Sequence, residues 1–250
     1  VSTMAKPAPR ELEVLATRDV TPHMRRITLG GTGMTSFPED QASAYIKLIF
    51  PTPGDARPLM RTYTVRHHRD TEIDVDFVIH ETAGPASQWA LDTRPGDRIL
   101  IGGPGPKKLV NEQADWFLLV GDMTALPAIS VNLGLLPADA RGYAVIEVLD
   151  RADIQDLDKP DNLELVWAVN AEPDPDGQVL LNRVKQLDWL PGQPAVWAAC
   201  EFQSMRALRA FFKQDKQVAK SHLYVSSYWK MGISEDQHKV VKRQDAEQTD

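Results

Sequence analysis

The sequence predicts two domains, an N-terminal six-stranded antiparallel β-barrel followed by a C-terminal α/β unit on a parallel sheet. Two observations predict it. From Arg10 to Gly105 apolar and polar residues alternate in short segments, the signature of half-buried strands, and turn-rich pieces such as Pro51-Thr52-Pro53-Gly54-Asp55 and Pro95-Gly96-Asp97 separate them. After Lys107 to Asp115 the pattern becomes compact apolar runs alternating with helical stretches, as a parallel sheet requires.

The clearest strand is Glu72 to His80, where Ile73, Val75, Phe77 and Ile79 alternate with Glu72, Asp74 and Asp76. The other expected strands of the first half are Glu11 to Ala16, His23 to Leu29, Ala44 to Phe50, Met60 to His67 and Asp97 to Ile101, and six short strands suit a small closed barrel. In the second half the apolar runs are Trp116 to Val120, Ala144 to Leu149, Leu163 to Val169, Ala195 to Cys200 and Leu223 to Ser226. Helices are expected over Thr124 to Leu136, Val179 to Leu187 and Gln203 to Lys213. The last carries Met205, Leu208, Phe211 and Phe212 at core-facing spacing. The expected divisions are residues 1–110, 115–227 and a C-terminal extension 228–250, whose charged tail from Glu235 starts as helix and ends disordered.

Composition narrows the function. The 250 residues are 42% apolar and 25% charged, ordinary globular values. No apolar run approaches the roughly 20 residues of a membrane span, and Val1 to Arg10 has no apolar signal core. The expectation is a soluble, cytoplasmic monomer without membrane insertion. The formal charge of −7 argues against nucleic-acid binding, which needs a basic field. One cysteine, Cys200, permits no internal disulfide, and six histidines without zinc-like spacing predict no bound metal.

The chemistry concentrates in Arg61-Thr62-Tyr63-Thr64-Val65-Arg66. In an extended segment Arg61 and Tyr63 share one face. The ring can then lie against an isoalloxazine while the guanidinium takes a diphosphate in bidentate fashion, and Thr64 can bond the reactive ring edge. The same residues also make an ordinary amphipathic strand. A second cluster runs from His80 through Gly84-Pro85-Ala86-Ser87 to Trp89, a strand end leading into a short helix. Its free N–H groups suit an anion, with Gly84 allowing close approach, Pro85 presetting the first turn and Ser87 adding a hydroxyl. Both pieces can reach one diphosphate.

With these motifs the chain resembles the siderophore-interacting protein family, flavin-dependent ferric-siderophore reductases of the ferredoxin–NADP⁺ reductase-like superfamily. The likeness covers nearly the whole chain and extends to Pro95-Gly96-Asp97, Asp115 to Asp122, Thr124 to Ile129 and Tyr228-Trp229-Lys230-Met231-Gly232. The resemblance implies FAD held between a six-stranded barrel and a nicotinamide-type α/β domain. Arg61, Thr62, Tyr63 and Thr64 would hold the ring and diphosphate, and His80, Gly84, Ala86 and Ser87 would complete the phosphate and adenosine contacts. The implied reaction passes single electrons from reduced FAD to siderophore-bound Fe(III) and releases Fe(II) for iron assimilation. No residue need act as a nucleophile, because the protein supplies binding and orientation.

The loop Gly121-Asp122-Met123-Thr124 lies where a nicotinamide dinucleotide places its diphosphate, without the Gly-x-Gly-x-x-Gly fingerprint. Related proteins commonly have Glu where this chain has Met123, which leaves NADH, NADPH and reduced ferredoxin open as donors. Asp150 could accept from an adenosine ribose, with Arg151 pulling the other way, and Asp122, Asp150 and Glu201 read as positioning groups. Cys200 stands where the superfamily often places a cysteine near the flavin. A ferric siderophore is a bulky anion, so cations should gather beside the flavin. Lys47, in an otherwise apolar strand, and Lys230, after the last strand, are the expected ones. A third, sought on the helix after Pro127, is absent, because Ser130 and Asn132 stand there. Two rival functions remain: a flavin reductase of the same fold serving ferredoxin or flavodoxin, and a non-enzymatic siderophore-binding module.

Overall fold

The structure, a computed structural model, describes residues 8–52, 54, 57–80, 84–172 and 174–247. They form two compact units, 1–108 and 109–250. The first contains strands β1 (Arg10–Thr21), β2 (Met24–Gly30), β3 (Tyr45–Phe50), β4 (Leu59–Arg69), β5 (Glu72–Val78) and β6 (Arg98–Gly102), with one helix, α1 (Pro85–Asp92), between β5 and β6. The strands close in the order β1-β2-β5-β4-β3-β6, every pair antiparallel. Closure leaves no free edge and fixes the register of β4, which carries the Arg61 segment.

The alternation in β5 works as expected on its inner side, where Ile73, Val75 and Phe77 join Ile27, Leu29, Ile46, Leu48 and Val65 in the barrel core. Each such side chain contributes about 1.5–3 kcal/mol by leaving water. The outer side departs from expectation. Asp74 and Asp76 are only 5% and 7% exposed, because neighbouring strands lay cations over them. Arg26 grips Asp76 through two bonds of 2.6 and 2.7 Å. Asp74 accepts from Thr28 at 2.7 Å and from Arg69 at 2.9 and 3.0 Å, with the His67 ring at 2.9 Å. Burial alone would raise the Asp74 carboxyl, but bonds from His67, Arg69 and Thr28 outweigh it and hold the group well below the usual range.

The second unit is a parallel sheet of β7 (Trp116–Gly121), β8 (Gly142–Val148), β9 (Leu163–Val169), β10 (Pro194–Glu201) and β11 (Leu223–Trp229), ordered β11-β10-β7-β8-β9. Helices α2 (Leu126–Leu135), α3 (Gln178–Lys185), α4 (Phe202–Ala210) and α5 (Glu235–Glu247) accompany it, and α4 runs on into a single π-helical turn, Phe211–Asp215. All five strands are parallel, but the order of addition reverses at β7, the chain moving out to β8 and β9 on one side and later to β10 and β11 on the other. The carboxyl ends of β7 and β10 therefore flank the switch point where open α/β sheets bind ligands. Buried Trp116, Leu118 and Val120 from β7 pack with Val196, Ala198 and Cys200 from β10 and with Leu208 and Phe212.

Beyond Lys230 a short turn leads into α5, Glu235–Glu247, and the end of the tail expected to be disordered lies outside the described residues. Lys242 donates to Ser226 Oγ at 2.7 Å and to the Ser227 carbonyl at 2.8 Å, while Asp245 accepts from Arg209 at 2.7 and 3.0 Å. Helix α5 is therefore strapped to β11 and α4. Among the described residues no helix is long and apolar enough to cross a membrane, and no group of three or more His, Cys, Asp or Glu could hold a metal ion.

Candidate flavin site and donor crevice

Register decides where the Arg61 segment points. In β4, Arg61 pairs with Leu48 and Tyr63 with Ile46, both buried inside the barrel, so Arg61 and Tyr63 share that side. Thr62 and Thr64 pair with Lys47 and Tyr45 on the other side. Tyr63 rests on Phe77 with ring centroids 4.3 Å apart, and Phe77 in turn meets Trp89 of α1 at 5.7 Å, with Phe50 beyond it. This aromatic run ties the segment to the helix that follows β5. Tyr63 and Arg61 are half-buried, and Arg61 Nη1 donates to the Met60 carbonyl at 2.9 Å. The Thr64 hydroxyl has no hydrogen-bond partner among the described residues.

The start of α1 fits a diphosphate. Gly84 is its N-cap, with no side chain capping the helix and Pro85 in its first turn. A Cβ built on Gly84 would meet nothing within 4 Å among the described residues, so none of them fills the space in front of the backbone there. The N–H groups of Ala86 and Ser87 have no acceptor among the described residues and lie at the positive end of the helix. The Ser87 hydroxyl differs from expectation, because it is buried and donates to the Val78 carbonyl at 3.1 Å. Its backbone, rather than its side chain, is what α1 offers. His80 is exposed just beyond β5, and residues 81–83 of this cluster lie outside the described residues.

Lys47 reaches across to Thr62 Oγ1 at 3.1 Å, and its ammonium stands 5.8 Å from the Tyr45 ring centroid. The Tyr45 ring lies on Gly105, where a Cβ would come within 2.0 Å of ring carbon. In the second unit Lys230 holds its ammonium 4.8 Å from the Phe202 ring centroid. No cation could replace Ser130 or Asn132 without being buried. Ser130 donates to the Leu126 carbonyl, and Asn132 links the Val110 N–H to the Ala128 carbonyl.

The polar groups at the switch point are engaged by bonds within the second unit. One Asp122 oxygen accepts from the N–H and hydroxyl of Thr124, at 2.9 and 2.5 Å. The other accepts from the Glu201 N–H and from Trp229 Nε1, both at 2.8 Å. Glu201 caps α4 through the N–H groups of Gln203 and Ser204 and takes the Met231 N–H at 3.1 Å. Asp150 caps the next turn through the Ala152 N–H at 2.8 Å. Gly121 is required by packing, since a Cβ there would meet the Ala199 carbonyl at 2.6 Å. Met123 is buried. Burial raises the Asp122 carboxyl against its four hydrogen bonds. Cys200 has no exposed surface, and burial, helped by Asp122, Glu147 and Glu201, pushes its thiol far up, so it packs as a small apolar group.

Two groups outside this set couple folding to pH in opposite senses. Burial pushes Glu147 up to about 7, with Asp122, Asp174 and Glu201 adding to it and an Asn170 bond opposing. Between its ordinary value near 4.5 and 7, the folded chain keeps a proton that the unfolded chain has lost, so stability falls as pH rises. Burial pushes His238 down to about 4, and nearby Lys242, Lys230 and Lys239 add to this while Glu235 opposes. Its buried ring sits 2.8 Å from Ser227 Oγ. From 6.5 down to 4 the unfolded chain takes a proton that the folded chain refuses, so stability rises with pH. The two slopes oppose each other from about pH 4.5 to 6.5. Glu147→Gln should therefore expose the His238 slope in that window and stabilise the protein at pH 8 by about 1–3 kcal/mol, measured by urea unfolding at pH 5, 6.5 and 8. An unchanged pH profile would refute the assignment.

Comparison with known sequences identifies the family. Residues 13–56 and 52–108 match the siderophore-interacting FAD-binding domain, and residues 114–232 match the siderophore-interacting protein family. The chain belongs to the siderophore-interacting protein family. Among the members of that family, ferric vibriobactin reductase ViuB of Vibrio cholerae is 34% identical over 250 residues, covering 91% of this chain and 92% of its own. Ferric acinetobactin reductase of Acinetobacter baumannii is 27% identical, over 94% of this chain and 83% of its own. The crystal structure of the siderophore-interacting protein SipS from Aeromonas hydrophila superposes with a TM-score of 0.85 at 34% identity, covering 96% of this chain and 98% of that one. A ferredoxin–NADP⁺ reductase from Plasmodium falciparum shares the fold alone, at 14% identity and a TM-score of 0.60.

Proposed function

We propose that this protein is an FAD-dependent ferric-siderophore reductase. The observation that carries the reading is the set of unfilled donors on the barrel unit, at the open Gly84 cradle, the Ala86 and Ser87 N–H groups and the Thr64 hydroxyl. In this reading those N–H groups and Arg61 hold the diphosphate, and Tyr63 offers the uncovered part of its ring to the isoalloxazine. Thr62, Thr64 and His80 border the cofactor. When bound, FAD supplies the redox chemistry, delivering electrons singly to Fe(III), which the siderophore's hard oxygen donors then hold weakly as Fe(II). Lys47 and Lys230 draw in the anionic chelate by charge. No side chain is asked to act as a nucleophile, an acid or a base.

The donor is NADH, NADPH or a reduced ferredoxin. Because Asp122, Thr124 and Glu201 spend their polar atoms on one another and on neighbouring backbone, their part is to position the switch-point loops. Exposed Asp150, with only one oxygen engaged by the Ala152 N–H, keeps the other for a donor's ribose. The setting is a reducing cytoplasm, and the working form a monomer.

Anaerobic mixing of the reduced holoprotein with ferric catecholate and ferric hydroxamate chelates tests the function. Flavin reoxidation well above the buffer rate is expected. Reoxidation by oxidised ferredoxin or flavodoxin alone would instead favour the electron-carrier reductase, and purified protein without flavin would favour the binding module. Lys47→Ala should lower kcat/KM for an anionic ferric catecholate by about tenfold at low salt, with a smaller effect at high salt and unchanged FAD content. Loss of FAD would remove Lys47 from the substrate role.

A further inference from the structure

Arg66, the last residue of the motif, has no role in the site as described so far. It lies two residues beyond Thr64, at a point where β4 is irregular on both sides. Toward β5 the register runs from Val65 opposite Val75 to His67 opposite Asp74, so Arg66 is the extra residue of a β-bulge. Bulges re-aim side chains and recur beside active sites. Toward β3, Val65 donates to the Ala44 carbonyl and accepts from the Ser43 N–H, which sets Ser43 one step past the last regular pair. Ser43 has a left-handed backbone with φ of 71°. It is 7% exposed, and its buried hydroxyl has no partner among the described residues.

The carboxylates near Arg66 are already taken. Asp76 gives both oxygens to Arg26, and Asp74 is filled by Arg69, His67 and Thr28. The half-buried Arg66 guanidinium makes no hydrogen bond or ion pair with any described residue. Burial lowers its proton affinity, Arg26 adds to this, and Asp76 and Asp74 only partly offset it. A half-buried guanidinium whose five donors are unfilled among the described residues is free to take an acceptor from a bound ligand.

We propose that Arg66 binds the pyrimidine edge of FAD and raises the reduction potential of the bound cofactor. The inference rests on the FAD reading above. Two-electron reduction with uptake of one proton leaves the isoalloxazine with one negative charge, spread over its N1 and C2-carbonyl edge. A cation there favours the reduced form, one of the levers by which proteins tune cofactors. The segment acts as a ruler for the cofactor. Arg61 serves the diphosphate, Tyr63 the ring face, Thr64 the ring edge and Arg66 the far end, about 16 Å along at the usual rise of a strand.

The test uses the full-length holoprotein, its Arg66→Gln and Arg66→Lys variants, and anaerobic equilibration against a reference dye. Arg66→Gln should weaken binding of reduced relative to oxidised FAD by about tenfold, a fall of about 30 mV in the two-electron potential. Arg66→Lys should recover part of it, keeping the charge without the planar fork. If Arg66→Gln retains FAD poorly, the ratio of dissociation constants for the two redox forms, measured by titration of apoprotein, reads the same quantity. An unchanged potential or ratio overturns the proposal, and with a lowered melting temperature it would assign Arg66 to the carboxylate cage of β5. Wild-type protein that binds no FAD would overturn the functional reading itself, a result distinct from an unshifted potential.

Discussion

Asp122→Ala is expected to cost about 3–5 kcal/mol of folding stability, enough to unfold many domains. The carboxylate accepts from Thr124 twice, from the Glu201 N–H and from Trp229 Nε1. These donors come from the turn before α2, the end of β10 and the end of β11. Removing the acceptor strands three N–H groups in a site that water does not readily reach, at about 1–3 kcal/mol each where no relaxation helps. Asp122→Asn keeps the volume and one acceptor oxygen but turns an amide toward donors, so an intermediate loss is expected. Urea unfolding followed by far-UV circular dichroism measures both variants. A loss below about 1 kcal/mol for alanine would show that the four bonds are not mutually dependent.

Arg61→Ala should lower FAD affinity by about 10- to 100-fold, the range for one or two charge-assisted bonds lost from a diphosphate. Arg61→Lys should retain the charge and lose the bidentate geometry, falling between wild type and alanine. Flavin fluorescence during titration of apoprotein gives the affinities. Arg61 sits beside the barrel core without belonging to it, so the melting temperature of the apoprotein should barely move. An apoprotein strongly destabilised by the change, with the affinity of its folded fraction intact, would place Arg61 in the fold and not in the cofactor site.

Much of the fold was legible because it depends on local pattern. The alternation of Ile73, Val75 and Phe77 predicts β5, and the change of period after Lys107 predicts the second unit. What the sequence hid depends on contacts between distant residues. Asp74 and Asp76 look like solvent-facing residues until Arg26 and Arg69 are laid over them. Asp122 looks like a ligand for a donor dinucleotide until Trp229, 107 residues away, takes its second oxygen. Thr124, expected as the first residue of a helix, is held by Asp122, and α2 starts two residues later. Ser87 supplies a backbone donor where a hydroxyl was expected, since no local rule says that Val78 will accept its proton. Conversely, the bulge at Arg66 has no signature in the hexapeptide itself, because a bulge is a property of two strands.

The contact between Gly105 and Tyr45 sets a condition on how proteins of this kind can diverge. The aromatic ring occupies the volume that any side chain at 105 would need, so the two positions are expected to change together. A larger residue at 105 would require a small one at 45, and Lys47 would then stand over an aliphatic surface and not beside a ring. Preference among anionic chelates could thus drift through a substitution some sixty positions from the lysine, in a residue without a side chain.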